Sequence, residues 1–336
     1  MTGRVLPPGP EGHFLSGNLL DYKRDPLSFL TRCSWEYGDV VRLRFLDRSA
    51  YLLNNPEYIE YVLVKSNRNF VKGRARFFHR FRQEIILVGN SILASEGEFW
   101  RRQRRLCEPA FHRQRINAYG EVMVSFTERM LATWQDGESR DVHQEMMLLL
   151  LDIVTTTLFD MQAVKAEEVK EAFGRVQETL GGQGGGIQVQ AGNYGLLLQF
   201  LRYLRFHKAV RQLNKVTYAL INERRSSRNG TEDLLSLLLH FQDKDGIQMS
   251  DKQLRDEVVA MLFGGYETTA NVLSWTWYLL SRHPEVETNL LIELQEVLGG
   301  RAPTVEDLPR LQYTQMVAKE AIRPVSYTHL TCRRRG

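Results

Sequence analysis

The chain has 336 residues, of which 43% are hydrophobic and 25% are charged, and its formal net charge at pH 7 is +4. This composition is ordinary for a folded globular protein, and the small charge, spread along the chain, argues against a nucleic-acid partner. The length leaves room for two domains or for one large helical domain.

The cysteines and the N-terminus both bear on the cell compartment. Cys33, Cys107 and Cys332 show neither metal-ligand spacing nor a disulfide framework, which is typical of a reducing cytoplasm. Residues 1–14 contain no apolar run long enough for a signal peptide or a membrane span. We therefore expect a soluble cytoplasmic protein with no membrane span.

The N-terminal part of the chain alternates helix and strand patterns. Residues 25–37 have the spacing of a short amphipathic helix whose apolar side carries Leu27, Leu30 and Trp35. Strict alternation over 41–45, followed by a return strand at 50–53, predicts a hairpin. These are the last convincing strand patterns, so we expect a mainly α protein with a small β lobe.

Most of the remaining chain has the apolar spacing of helices. The run Met146–Leu151 is almost entirely apolar, which predicts a central position for its helix. Thr304 or Asp307 is expected to cap the last helix. The glycines at 181–186 lack the following Lys-Ser/Thr of a phosphate-binding loop, so they predict a flexible loop. The predicted helices cover residues 57–64, 116–134, 142–159, 166–180, 196–225, 231–240, 286–298 and 310–323.

A basic cluster opens the helix that starts near Gly97. The sequence Arg101-Arg102-Gln103-Arg104-Arg105 is compatible with a phosphate-binding patch or with an ordinary solvated face. Trp100 and Arg104 are four residues apart and therefore share one face of the helix. An indole N–H beside a guanidinium offers two donors to a carboxylate.

The most unusual helix is predicted over Asp251–Arg282. Its first half has apolar residues at helical spacing, and Asp256 and Glu257 occupy an early turn, where the helix dipole favours negative charge. Two adjacent glycines then interrupt it, Gly264 and Gly265, each costing about 1 kcal/mol relative to alanine.

Three polar residues follow these glycines after Tyr266. Glu267 is an acid in an apolar run, and Thr268 and Thr269 come next. The Thr268 hydroxyl can bond the carbonyl four residues back, which belongs to Gly264. A helix weakened here can open a local groove. Close packing against another helix is the simpler explanation for the glycines alone.

Residues 264–269, Gly-Gly-Tyr-Glu-Thr-Thr, resemble the oxygen-activation segment of the cytochrome P450 family, [AG]-G-x-[DE]-T-[TS]. Two further motifs agree in order: the family's W-x-x-x-R is matched by Trp100 and Arg104, and its E-x-x-R helix by Glu320 and Arg323. The resemblance extends over about residues 6–323. It implies a single P450-like helical domain over 1–323, incomplete at its C-terminus.

The resemblance implies a role for each matching residue. Gly264 and Gly265 would give room to the haem and oxygen, and Glu267 and Thr268 would be the catalytic residues that deliver protons. Trp100 and Arg104 would bind a haem propionate. Glu320 and Arg323 would support the fold, although the same spacing also describes a surface ion pair worth under about 1 kcal/mol. Residues 73–89 would cover the substrate pocket, with a solvated loop as the equal alternative.

The family's chemistry then follows as an expectation. The enzyme would contain haem b and insert one oxygen atom from O2 into an apolar substrate. Electrons would come from NAD(P)H through a separate ferredoxin- or flavodoxin-type donor, which Arg101 and Arg105 could meet. The absence of an anchor ahead of the proline-rich start indicates a bacterial cytoplasmic member.

One family feature is missing from these 336 residues. The family's iron ligand is a cysteine in a Phe-x-x-Gly-x-Arg-x-Cys-x-Gly loop, and none of the three cysteines has that context. We therefore assign no metal ligand and expect the 336-residue chain to be inactive. Residues 324–336 look foreign, because VSYTHL can be encoded by GTC TCT TAT ACA CAT CTN, which resembles a sequencing adapter.

The alternative from another class is a non-enzymatic helical protein. Its basic cluster at 101–105 would bind phosphates or an acidic partner. Haem uptake favours the enzyme, whereas a salt-dependent affinity for nucleic acid without haem uptake favours the alternative.

Overall fold

The computed structural model describes residues 6–70, 86–161, 163–181, 194–226, 233–240 and 248–325. The chain divides into two compact units, one that includes residues 6–70 and a larger one that includes most of the rest up to Val325. The single domain over 1–323 stays a prediction. Three predicted features lie outside the described residues: most of the 73–89 segment, most of the glycine-rich loop, and the tail after Val325.

The first unit contains the predicted hairpin. Its elements are α1 (Leu19–Arg24), α2 (Pro26–Tyr37), β1 (Val40–Phe45), β2 (Arg48–Leu53) and α3 (Pro56–Glu60). Strands β1 and β2 are antiparallel, with Val40 opposite Leu53 and Phe45 opposite Arg48. The strands are longer than predicted, because the turn between them needs only Leu46 and Asp47.

The predicted apolar side of α2 is wrong. Leu27 and Trp35 are exposed, and the residues that α2 buries are Phe29, Cys33 and Ser34. Phe29 and Cys33 are four residues apart and form a narrower stripe than the sequence suggested. The start of the helix is as the sequence indicates, since Asp25 caps it by accepting a hydrogen bond from the Ser28 amide at 3.1 Å.

The second unit is helical. The mainly α fold with a small two-stranded sheet is confirmed, and the helix over 142–159 has the predicted bounds. The helices of this unit, with part of α8 assigned to the first unit, are α4 (Gly97–Cys107), α5 (Arg113–Leu131), α6 (Val142–Phe159), α7 (Ala163–Gly181), α8 (Tyr194–Ser226), α9 (Leu234–His240), α10 (Asp251–Arg282), α11 (Pro284–Leu298) and α12 (Gln312–Val325).

Helix α10 lies at the centre of this unit. It packs along α6 and also contacts α9, α11 and α12. The apolar run of α6 is largely buried, at Met146, Leu149, Leu150 and Leu151, which confirms its central position. Among the described helices, α6 alone is apolar and long enough to cross a membrane by length and composition. Half of that stretch is buried within the protein, as in the core helix of a folded domain.

The start of α12 is held by a side chain of the preceding helix. The carboxylate of Glu293 in α11 accepts hydrogen bonds from the Tyr313 amide at 2.6 Å, the Thr314 amide at 2.8 Å and the Thr314 hydroxyl at 2.7 Å. The predicted cap at Thr304 or Asp307 is wrong, because both residues belong to a capping box on the short 3-10 helix Val305–Asp307. Burial alone would raise the pKa of Glu293, but the hydrogen bonds outweigh it and hold that pKa below its ordinary value.

Replacing Glu293 by Gln is expected to lower the thermal unfolding temperature, because an amide accepts these three hydrogen bonds less well than a carboxylate. Circular dichroism at neutral pH measures the change. The matched control is Glu296→Gln, an exposed residue of the same helix. Equal unfolding temperatures for the two variants would show that the Glu293 cap does not stabilise the protein.

Candidate functional site

Gly264 and Thr268 form an open face in the middle of α10. The Thr268 hydroxyl donates a hydrogen bond to the Gly264 carbonyl at 2.8 Å, as the sequence predicted. Thr268 is exposed, and a Cβ added at Gly264 would meet nothing within 4 Å. The helix nevertheless continues unbroken from Asp251 to Arg282, so no groove opens in its backbone. A carbonyl oxygen has two lone pairs, which is why it can accept from the hydroxyl without losing its helical bond.

Gly265 serves the opposite purpose from its neighbour. A Cβ added there would lie 3.1 Å from Cγ2 of Val154 in α6, closer than most real contacts. The missing side chain therefore lets α10 and α6 approach closely. Close packing therefore explains Gly265, whereas Gly264 faces open space and its role stays a prediction.

The next residue, Tyr266, points away from the open face. It is 1% exposed, and its ring packs edge-on against Phe173 of α7, with ring centroids 5.6 Å apart. Burial, and then the nearby charge of Glu267, raise the pKa of Tyr266. Glu267 itself is half-buried beside Thr268. Within one turn, α10 is thus packed on the Gly265 and Tyr266 sides and open on the Gly264 and Thr268 side.

Trp100 and Arg104 lie together on α4. The guanidinium carbon of Arg104 is 5.4 Å from the centroid of the Trp100 ring, so the two side chains share one helix face. Arg104 is exposed and Trp100 is half-buried. The pair presents donor groups on one face of α4, as a carboxylate-binding pair requires.

The basic cluster is partly engaged within its own helix. Arg101 forms an ion pair with Glu98, and Arg104 stacks on Trp100. The carboxylate-binding pair and the phosphate-binding patch both stay predictions.

Two buried carboxylates tie the segment before α4 to α10. Asp256 Oδ2 accepts a hydrogen bond from the Asn90 amide at 2.9 Å, and both oxygens of Glu257 accept from the Ile92 amide at 3.0 Å. Asp256 is 3% exposed and Glu257 is 0% exposed. Gly89 is required at the start of this contact, because its φ is +58° and a Cβ there would fall 2.1 Å from the Asp256 carboxylate.

The sequence placed Asp256 and Glu257 in an early turn but did not predict their burial or their partners. Each accepts its bond from an amide more than 160 residues earlier in the chain. The signal that could have indicated this is the pair of adjacent acids directly before the apolar run Val258–Leu262.

Glu257 has an unusual charge environment. Burial raises its pKa to about 7, and the Ile92 amide only partly opposes this. Burial, with a contribution from Glu257, raises the pKa of the Cys107 thiol to about 12. Burial also raises the pKa of Cys33. Both described thiols are therefore protonated, the opposite of what a thiolate metal ligand requires. Cys332 lies outside the described residues.

Glu320 and Arg323 form the predicted ion pair on α12. Arg323 Nε donates to Glu320 Oε1 at 2.6 Å, and both side chains are substantially exposed. The three sequence motifs thus occupy α4, α10 and α12 of one unit. Helix α12 packs directly on α10, and α4 is tied to it through residues 90–92.

Comparison with known proteins gives a consistent result. The family model described as cytochrome P450 matches residues 7–335. Cyclooctatin synthase of Streptomyces melanosporofaciens is 37% identical over 320 residues, covering 94% of this chain and 67% of that protein. Pentalenene oxygenase of Streptomyces avermitilis is 33% identical over 309 residues, covering 91% and 66%.

Solved structures show the same fold. The crystal structure of the cytochrome P450DA heme domain superimposes with a TM-score of 0.78 at 23% identity, covering 94% of this chain and 69% of that one. The chain therefore spans about two thirds of the length of the proteins that it resembles.

The two glycines are expected to respond differently to alanine. Gly264→Ala should raise the free energy of unfolding by about 0.5–1 kcal/mol, because alanine favours the helix and its Cβ meets open space. Gly265→Ala should gain little or lose stability, because its Cβ presses on Val154. Urea unfolding of both variants measures the difference. A larger gain for Gly265→Ala would contradict the assignment of the packed and open sides.

Glu257 should make stability fall as pH rises. Its pKa in the folded protein, about 7, exceeds its ordinary value of 4.5, so its contribution is complete below pH 4.5 and is lost as pH rises through 7. At about 1.4 kcal/mol for each pH unit, the loss is on the order of 3 kcal/mol. Urea unfolding between about pH 5 and pH 8 should show this slope in the wild type and a flatter curve in Glu257→Gln. Parallel curves would contradict the raised pKa.

Proposed function

The chain belongs to the cytochrome P450 family, and from that premise we propose that it works as a haem-dependent monooxygenase. The reaction inserts one oxygen atom from O2 into an apolar organic substrate and reduces the other to water. Haem, when bound, supplies the activation of O2. The observation that carries the proposal is the hydrogen bond from Thr268 to the Gly264 carbonyl on an otherwise open helix face.

The open face is suited to proton delivery. With its proton donated to Gly264, the Thr268 hydroxyl offers its oxygen lone pairs to a water molecule, which it can hold against the helix. Glu267 lies next to it and is half-buried, so its carboxylate can exchange protons with solvent and pass them towards that water. Thr268 thus positions the proton-carrying water, and Glu267 replaces the proton that this water gives up.

The described residues fit the face of a porphyrin in part. Gly264 leaves space where any side chain would stand, and the Trp100–Arg104 pair can donate to a propionate. The described thiols do not fit an axial ligand, because burial keeps them protonated. We propose that the described residues hold haem through the open face of α10 and the Trp100–Arg104 pair, and that the iron ligand comes from outside the described residues.

The substrate is proposed to be apolar and terpenoid-like. Relatives of this chain include proteins named pentalenene oxygenase and cyclooctat-9-en-7-ol 5-monooxygenase, the latter 35% identical over 314 residues. Both named substrates are largely hydrocarbon. The residues that would contact such a molecule on α10 are those beside the open face, including half-buried Met261.

Electrons are proposed to come from NAD(P)H through a separate ferredoxin- or flavodoxin-type protein. The basic side chains of α4 support this, since an acidic donor would be attracted to them. A bacterial cytoplasmic location without a membrane span is supported by the Streptomyces relatives and by the partial burial of α6.

Hemin titration of the purified 336-residue chain tests the proposal. We expect Arg104→Ala to weaken hemin binding by about tenfold or more, because a charged hydrogen bond to a propionate contributes about 1.5–3 kcal/mol. Absorbance in the Soret region measures the apparent dissociation constant.

Arg105→Ala is the matched control, since Arg105 is an exposed arginine next to Arg104 on another face of α4. It should leave hemin binding nearly unchanged. Absence of hemin uptake, or equal losses in the two variants, would overturn the proposal. Salt-dependent nucleic-acid binding lost in both variants would favour the non-enzymatic alternative instead.

A further inference from the structure

The segment before α4 is attached to α10 through two amides. Asn90 donates to Asp256, and Ile92 donates to both oxygens of Glu257. Four residues separate Ile92 from the first residue of α4, Gly97, and α4 carries Trp100 and Arg104. The place where α4 begins therefore depends on these two hydrogen-bonded contacts.

The two carboxylates are not equivalent. Asp256 forms an ion pair with Arg255 at 2.8 Å, and Arg255 in turn donates to the Asn214 side chain at 2.7 Å. Within the described part of the chain, Glu257 has the Ile92 amide as its partner and no cation. Arg255 is two residues away, on the far side of the helix, and is already engaged.

The other titratable groups near Glu257 do not supply a positive charge. Cys107 of α4 faces it as a protonated thiol, and Asp256 is an acid. On α9, which packs against α10, Asp233 is paired with Arg224 and the His240 ring donates to the Ser236 carbonyl at 2.7 Å. Ionisation of Glu257 is therefore opposed by its surroundings.

We propose that Glu257 is a positioning residue for the Trp100–Arg104 pair, holding residues 90–96 in place when it is protonated and releasing them when it loses its proton. Release exposes the carboxylate to water, where the charge is solvated. Any opening that solvates Glu257 becomes more favourable as the proton is lost.

Amide hydrogen exchange measures this attachment directly and needs no haem. After division by the intrinsic rate, the protection of the Ile92 amide in the wild type should fall by up to about tenfold for each pH unit between about pH 4.5 and pH 7, and should level off above about pH 7. In Glu257→Gln, whose amide oxygen accepts the same bond and cannot ionise, protection should not change with pH. Glu121→Gln, an exposed residue of α5, should behave as the wild type.

An internal reference keeps the test valid if Glu257→Gln fails to fold. The Gln144 amide is held by Asp141 at 3.0 Å, in the cap of α6, and should not show the fall expected for Ile92 over the same pH range. Protection of Ile92 that is independent of pH in the wild type, or that follows Gln144, would overturn the inference. So would the same pH dependence in Glu257→Gln.

The inference that the Glu257 attachment positions the Trp100–Arg104 pair for haem rests on the proposed function. A second measurement distinguishes a failure of this inference from a failure of the proposed function. Between about pH 4.5 and pH 7, hemin affinity should fall more steeply in the wild type than in Glu257→Gln. If the chain takes up no hemin but Ile92 behaves as expected, the haem proposal fails and the attachment stands. If hemin binds with the same pH dependence in both proteins, Glu257 does not position the pair.

Discussion

Helix α10 has to be closely packed and open within a single turn, and the rest of the candidate site depends on how it does both. The absence of a side chain at Gly265 lets α6 approach, because a Cβ there would lie 3.1 Å from Cγ2 of Val154. The absence of a side chain at Gly264 leaves the neighbouring face of the helix open. Thr268 then covers the exposed carbonyl of Gly264, so the clear face is also a polar one. A uniformly packed helix of the same length could not hold a flat ligand against its backbone.

The helices around α10 are positioned by a repeated device, a carboxylate that accepts backbone amides from another segment. Glu257 and Asp256 do this for residues 90–92, and Glu293 does it for the first turn of α12. Such bonds are directional, and those accepted by Glu293 are also charge-assisted, because its pKa is held below the ordinary value. The motif residues on α4 and α12 are thereby held in place by the central helices.

What the sequence could predict was local. The Thr268 bond was predicted correctly from a spacing of four residues, whereas the predicted cap at Thr304 or Asp307 was assigned to the wrong helix. What it could not predict was long-range. The buried side of α2, the cap supplied by Glu293 and the burial of Glu257 all depend on partners brought by folding. The different roles of Gly264 and Gly265 follow from where α6 lies, which no local pattern contains.

The Glu293 cap has a consequence for how this part of the chain can change over evolutionary time. The first turn of α12 is held by three hydrogen bonds from α11 as well as by the connection over residues 299–311. That connection is ordered by the capping box at Thr304 and Asp307 and by the ion pair between Arg301 and Asp307. Sequence change there should therefore be tolerated where Glu293 and Asp307 are both kept.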